Sequence, residues 1–300
     1  MPNAMVMSGY GPPDVLRWSH VPLVEPGEGE IRIRVKAAGV SPTDLAIRSG
    51  ELRFPLGDPA VLGYEVAGVV DAVGPGVTGT SAGDEVAAML MDRGGYAEYA
   101  LASAWAPKAA SVSWTDAAAI PGSVEAAAGV LRQLGVKGGE RLLIVGGGGS
   151  VGAIATQLAV AQGVEVVSAV GQRDDAFAEE IGARPVRYGA GLVEAVRALG
   201  PVDAVFDAAG TGVLADAVTL AGGPRRVITL SDHEAAKHGV TLSVPTADRA
   251  PGAVAEGLKL FAEGRLRLKE RHVMPLRDAA EAHRLLENHE VRGRVVLTVD

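Results

Sequence analysis

The stretch Leu142-Leu143-Ile144-Val145-Gly146-Gly147-Gly148-Gly149-Ser150-Val151-Gly152 restricts the fold of this chain more than any other. A short apolar run, Arg141–Val145, ends in glycines, as a strand buried on both faces of a sheet does. Beyond it Val151, Ile154, Ala155, Leu158 and Ala159 recur at helical spacing until Gly163, a helix stop. A second apolar run follows at residues 164–170. Inside this strand–helix–strand unit the pattern G-x-G-x-x-G falls on Gly147, Gly149 and Gly152. The first glycine permits the tight turn, the second lets a pyrophosphate approach the backbone, and the third lets helix and sheet pack closely. The helix N-terminus at Ser150 and Val151 then offers free N–H groups and a positive dipole end to the phosphates. In a chain with 40 glycines the pattern by itself is weak, and its context carries the inference of a dinucleotide site.

The choice of dinucleotide depends on the end of the second strand. An NAD site places an acid about 20 residues after the glycines, on the ribose hydroxyls. Here the region reads Val167-Ser168-Ala169-Val170-Gly171-Gln172-Arg173, with no acid until Asp174 and Asp175, beyond the expected strand end. Ser168 and Arg173 suit a 2′-phosphate, by hydrogen bond and by charge, so NADPH is expected over NADH. The alternative for Arg173 is a solvated loop cation.

Strand candidates at residues 203–207, 226–230 and 240–244 alternate with helical patterns, which argues for a doubly wound parallel sheet. The first third is different. Ile31, Ile33 and Val35 alternate with Arg32, Arg34 and Lys36, and further apolar stretches at 64–73 and 86–91 are separated by turn signals. Short strands at close spacing predict a compact, barrel-like β domain. The tail predicts a helix through Val254, Leu258 and Phe261 ended by Gly264, a second helix near 278–286, and a last strand at 295–299.

Composition bounds the remaining possibilities. A hydrophobic fraction of 48% and a charged fraction of 21% over 300 residues fill a core and favour two domains. A net charge of -8, with no basic stripe, argues against nucleic acid. With no cysteines there are no disulfides, thiolate zinc sites, iron–sulfur clusters or cysteine nucleophile. The opening MPNAMVMSGYGPPD lacks the pattern of a signal peptide, and no apolar run reaches the roughly 18 residues of a membrane span. A soluble, cytoplasmic protein with no membrane partner is expected.

With these residues in view, the chain resembles the medium-chain dehydrogenase/reductase superfamily, specifically its zinc-free quinone oxidoreductase-like branch. The segments Ala37-Ala38-Gly39-Val40-Ser41-Pro42-Thr43-Asp44, Leu62-Gly63-Tyr64-Glu65-Val66-Ala67-Gly68-Val69-Val70 and Gly94-Gly95-Tyr96-Ala97-Glu98-Tyr99 resemble family signatures in order. The glycine turn, Val202-Asp203-Ala204-Val205-Phe206-Asp207 and Arg292-Gly293-Arg294-Val295-Val296-Leu297 complete the set. The resemblance implies an α/β fold: a GroES-like β-rich catalytic domain (residues 1–120 and 247–300) with a Rossmann domain (121–246) inserted. It also implies a homodimer through the Rossmann sheet edge, for which residues 239–244 are suited.

In zinc-dependent relatives a Cys and a His occupy the positions matching Ser41 and Tyr64, and a four-cysteine lobe lies near 92–95. None of these ligands is present, and the six histidines form no set with metal-ligand spacing. Without a Lewis acid, ordinary alcohol–ketone interconversion is disfavoured. A quinone or α,β-unsaturated carbonyl can take hydride at carbon while charge moves to oxygen, which needs positioning and a donor.

The candidate catalytic residues are Tyr64, as donor to the substrate oxygen or as a wall beside the nicotinamide, with Ser41 and Glu125. Asp44 is read as a loop anchor and Glu65 as a carboxylate tied to a cation. Most members of the branch carry threonine where Glu125 stands, close to the nicotinamide. A carboxylate there can accept the carboxamide N–H, act as an acid, or point to solvent. The resemblance places Tyr188 near the adenosine, and Ala208, Leu230 and Ser231 beside the cofactor. The leading expectation is therefore an NADPH-dependent reductase of a quinone or conjugated carbonyl. Two alternatives stand: an NADPH-binding structural or regulatory protein with little turnover, and a stand-alone enoyl reductase acting on a carrier-bound thioester.

Overall fold

The computed structural model describes all residues except Ala247, Arg292 and Asp300. The expected domain boundary at 247 and the first residue of the closing signature, Arg292, lie outside the described residues. The chain forms two compact units, one of residues 1–122, 254–265 and 269–300 and the other of 123–253 with 266–268.

In chain order the first unit begins with strands β1 (Asn3–Met7), β2 (Leu16–His20), β3 (Ile31–Val40), β4 (Glu65–Val73), β5 (Glu85–Met89), β6 (Tyr99–Ala102) and β7 (Trp105–Pro107). The second unit contributes β8 (Arg141–Val145), β9 (Glu165–Val170), β10 (Ala183–Arg187), β11 (Ala204–Asp207), β12 (Val227–Thr229) and β13 (Thr241–Leu242). Strands β14 (Arg271–Pro275) and β15 (Arg294–Thr298) return to the first unit.

The first unit is built on a seven-stranded sheet in the order β14-β15-β3-β4-β5-β7, with β6 also paired to β3. The alternation read at Ile31, Ile33 and Val35 is real: all three are at most 1% exposed, and they join Met5, Val66, Val70 and Leu297 in one core. Register shifts between Arg32 and Ile33 and between Val35 and Ala37 bend β3 against β4. At that bend a Cβ on Gly68 would lie 2.2 Å from the Arg34 carbonyl oxygen, so only glycine fits.

The second unit is a six-stranded parallel sheet in the order β10-β9-β8-β11-β12-β13. Chain direction out of the sheet reverses between β8 and β11, which makes their carboxyl ends the switch point where ligands of such sheets bind. Both strands are buried throughout except for Arg141, the first residue, which explains why they are apolar between Arg141 and the buried Asp207 that ends β11.

Candidate active site

The turn that leaves β8 sits at the switch point. Gly146 has φ of 91°, in the left-handed region, and Gly149 caps the helix Ser150–Ala161 in an extended conformation. A Cβ on Gly152 would lie 2.3 Å from the Gly146 oxygen, and one on Gly147 would lie 1.6 Å from Ser168 Oγ. At Gly149 the nearest atom to such a Cβ is the Gly146 oxygen at 3.3 Å, so the backbone there is bare on its outer side. A narrow turn with bare backbone and a helix N-terminus fits a pyrophosphate.

Ser168, expected at a 2′-phosphate, lies inside the fold instead. It is 1% exposed and faces the glycine turn from within, and its Oγ has no hydrogen-bond partner among the described residues. It supports the turn from beneath instead of standing at the strand end to meet a ribose phosphate. Arg173 is exposed in the turn Gln172–Asp174.

The acid discounted by counting along the chain reaches the turn. A Cβ on Gly148 would lie 2.4 Å from Asp174 Oδ2. The Tyr188 phenol is at the same place: partial burial raises its pKa, Asp174 raises it further, and the Gly146 backbone acts the other way. Asp175, by contrast, is held by Arg187.

The next loop along the sheet rises from β11. Ala208 donates its N–H to the Val145 oxygen at 2.8 Å, and Ala209 packs on Gly146. The carboxylate of Asp207 accepts from the N–H groups of Ala209 and Gly210 and from the Thr229 hydroxyl. Leu230 and Ser231 follow Thr229 in the neighbouring loop.

In the first unit Ser41 is the N-cap of the helix Pro42–Ser49. Its Oγ donates to Asp44 Oδ2 at 2.6 Å and accepts from the Asp44 N–H at 3.3 Å. Ser41, expected among the catalytic residues, is instead engaged as a helix cap whose proton is held by Asp44. Asp44 also accepts from the N–H groups of Ser41 at 2.8 Å and Gly63 at 3.0 Å. Burial raises its pKa against the pull of these bonds. Asp44 thus fixes the segment that carries Tyr64.

Tyr64 is partly buried against the core, and burial raises its phenol's pKa. Glu65, 1% exposed, pairs with Arg294 and accepts the Gly122 N–H at 2.9 Å. Burial pushes the Arg294 pKa down to about 10.

Glu125 does not point to solvent. It is 8% exposed and paired with Arg249 through both carboxylate oxygens, within the second unit. A carboxylate so engaged is a structural anion, which corrects its expected place among the reacting groups. Its partner Arg249 lies 124 residues away, too far along the chain for any local pattern to join the two.

Among the described residues no three His, Cys, Asp or Glu side chains are grouped to hold a metal ion, and no helix is long and apolar enough to cross a membrane.

The family model for the alcohol dehydrogenase GroES-like domain matches residues 27–113, and that for zinc-binding dehydrogenases matches 181–297. The quinone oxidoreductase of Sus scrofa is 36% identical over 177 residues, 57% of this chain and 54% of the relative, so the chain spans about half the length of that relative. A solved NAD-dependent alcohol dehydrogenase superposes with a TM-score of 0.86 at 31% identity, covering 99% of this chain and 100% of that one. A mycobacterial protein solved with NADPH superposes with a TM-score of 0.85 at 29% identity, covering 100% of both chains. With both units matched in this way, the chain belongs to the medium-chain dehydrogenase/reductase superfamily, in its quinone oxidoreductase-like branch.

Proposed function

We propose that this protein is an NADPH-dependent oxidoreductase that passes hydride to a quinone or another α,β-unsaturated carbonyl. The observation that carries the reading is the glycine turn at the switch point of the parallel sheet; Arg173 is exposed in the segment Gln172–Asp174 that follows β9. Gly147, Gly149, Ser150, Val151 and Gly152 hold the pyrophosphate, Arg173 the 2′-phosphate, Tyr188 the adenosine, and Ala208, Leu230 and Ser231 the nicotinamide end. The bound dinucleotide supplies the hydride. The first unit serves the substrate and the second the dinucleotide. The division falls at 122/123 and 253/254, near the expected 120/121 but later than the expected 246/247, and the second unit also takes in 266–268.

The chain's own residues then have one task at the substrate, which is to receive charge on its oxygen. The sequence has 0 cysteines, and Ser41 and Tyr64 stand where metal-dependent relatives carry ligands. Conjugation carries charge from the attacked carbon to that oxygen, where a placed donor stabilises it. Tyr64 is that donor: a phenol is protonated at neutral pH, burial shifts its pKa further upward, and the hydroxyl is available to give a hydrogen bond or a proton. The open edge at β13 is the surface through which two copies form a homodimer.

A second cofactor reading, NADH, is favoured by Asp174, whose carboxylate at Gly148 suits ribose hydroxyls and repels a 2′-phosphate. The experiment is a fluorescence titration with NADPH and NADH, followed by nucleotide oxidation against quinones, short enones and enoyl thioesters. Tighter NADPH binding with oxidation by quinones or enones is expected. Tighter NADH binding sinks the cofactor assignment. NADPH binding with no oxidation across the panel sinks the reductase and leaves a nucleotide-binding protein with little turnover.

A further inference from the structure

Two loops rise from the sheet beside the glycine turn, 208–210 after β11 and 230–232 after β12. Each starts from a polar residue that is 0% exposed, Asp207 and Thr229, and the chemistry above uses neither. The two face each other across the β11–β12 ladder.

Every side-chain oxygen of the pair is hydrogen-bonded. A threonine hydroxyl has one proton and two lone pairs. Thr229 Oγ1 donates to Asp207 Oδ2 at 2.8 Å and accepts from the N–H groups of Ser231 at 3.3 Å and Asp232 at 3.1 Å. The other oxygen, Asp207 Oδ1, accepts from Ala209 at 3.1 Å and Gly210 at 3.0 Å. Four loop N–H groups therefore hang on one buried pair.

The loops also touch. A Cβ on Gly210 would lie 2.5 Å from Ser231 Oγ, and one on Gly146 would lie 3.1 Å from Ala209 Cβ. Contact thus runs from the glycine turn through 208–210 to 230–232.

Strand pairing already joins β11 to β12 without these side chains. What the side chains add is control of the loops, since a buried network with every member satisfied rigidifies what it holds. We infer that Asp207 and Thr229 are positioning residues that fix the loop 230–232 relative to the glycine turn, and so align the nicotinamide end of a dinucleotide whose phosphates the turn holds. The inference rests on the dinucleotide site proposed above. It has a differential consequence. The adenosine and phosphates depend on the glycine turn, whereas the nicotinamide end depends on the paired loops.

The test uses the full-length chain and dissociation constants for NADPH, NADH, 2′-phospho-ADP-ribose and ADP-ribose, the last two lacking the nicotinamide. Thr229→Val keeps the shape and removes all three hydroxyl bonds. It is expected to weaken the preferred reduced dinucleotide about tenfold, the loss of about one net hydrogen bond to a charged group. Affinity for the matching ADP-ribose is expected to stay within about twofold. Thr229→Ser is expected to restore wild-type binding.

Asp207→Asn gives the same comparison in a second variant. Its amide keeps an acceptor for Ala209 and Gly210 but turns an N–H toward a hydroxyl whose lone pairs are both taken. Equal weakening of dinucleotide and ADP-ribose in the folded variants overturns the inference, because that marks general damage to the site. Unchanged binding of both overturns it as well, and so does a Thr229→Ser variant that behaves like Thr229→Val. Wild-type protein that binds neither dinucleotide refutes the site itself, a result distinct from any of these.

Discussion

Arg249 closes on Glu125 with two nitrogens of its guanidinium. Nε donates to Oε1 at 2.8 Å and a terminal nitrogen to Oε2, with the two side chains 4% and 10% exposed. Gly129 makes room for it, because a Cβ there would lie 2.5 Å from Arg249 Cγ. Breaking one partner of a buried pair leaves an uncompensated charge. Glu125→Gln is therefore expected to lower stability by about 3 kcal/mol in urea unfolding. The folded fraction is expected to keep its turnover, since Arg249 rather than substrate occupies the carboxylate. Loss of turnover at wild-type stability returns Glu125 to the reacting groups.

Gly147 and Ser168 form a second coupled pair. With 1.6 Å between a Cβ at 147 and Ser168 Oγ, Gly147→Ala forces the turn outward. Dinucleotide binding is expected to fall at least about tenfold. Adding Ser168→Gly removes the clashing hydroxyl and its Cβ, and is expected to recover most of the loss. A single variant with unchanged affinity contradicts this packing.

The buried His283 supplies a pH dependence. Its Nε2 lies 3.2 Å from the Tyr96 hydroxyl, and burial, then Arg48, push its pKa from 6.5 down to about 3. Between these values the unfolded chain binds a proton that the folded chain refuses. The stability contributed by neutral His283 is thus full above pH 6.5 and falls as the pH drops toward 3, by about 1.4 kcal/mol per unit. Urea unfolding of His283→Gln from pH 7 to pH 5 is expected to show a shallower decline than wild type. Identical declines rule out this source.

Tyr64 is the test of the chemistry. If its phenol meets the substrate oxygen, Tyr64→Phe lowers kcat about 100-fold, the range of a lost general acid, and leaves nucleotide affinity unchanged. Full activity in the variant reduces Tyr64 to a wall of the site.

Much of the second unit is legible because its signals are local. The helix Ser150–Ala161 and the strands on either side follow from apolar period, a glycine turn and a glycine stop within 30 residues of chain. Strand β10 is hidden by Pro185, which argues against a central strand and is tolerated here because β10 lies at the sheet edge. Strand β14 is hidden in the same way: its residues are mostly half-exposed, so no apolar alternation marks it.

The site divides along the same line. Gly147, Gly149 and Gly152 are readable because their spacing is itself the geometry. Asp174 is misjudged by counting, because the short helix Gln172–Asp174 folds it back to Gly148.

The sequence by itself determined the doubly wound sheet, the β-rich first third and the glycine turn, since hydrophobic period and turn residues act over a few neighbours. Only the tertiary structure decided which buried polar groups meet. Asp207 joins Thr229, Glu125 joins Arg249, Glu65 joins Arg294 and Tyr96 joins His283. A buried polar group must find a partner, but the chain does not encode locally which distant residue that is. The pairing is set when strands, helices and loops pack together, and with it the residues left to touch a substrate.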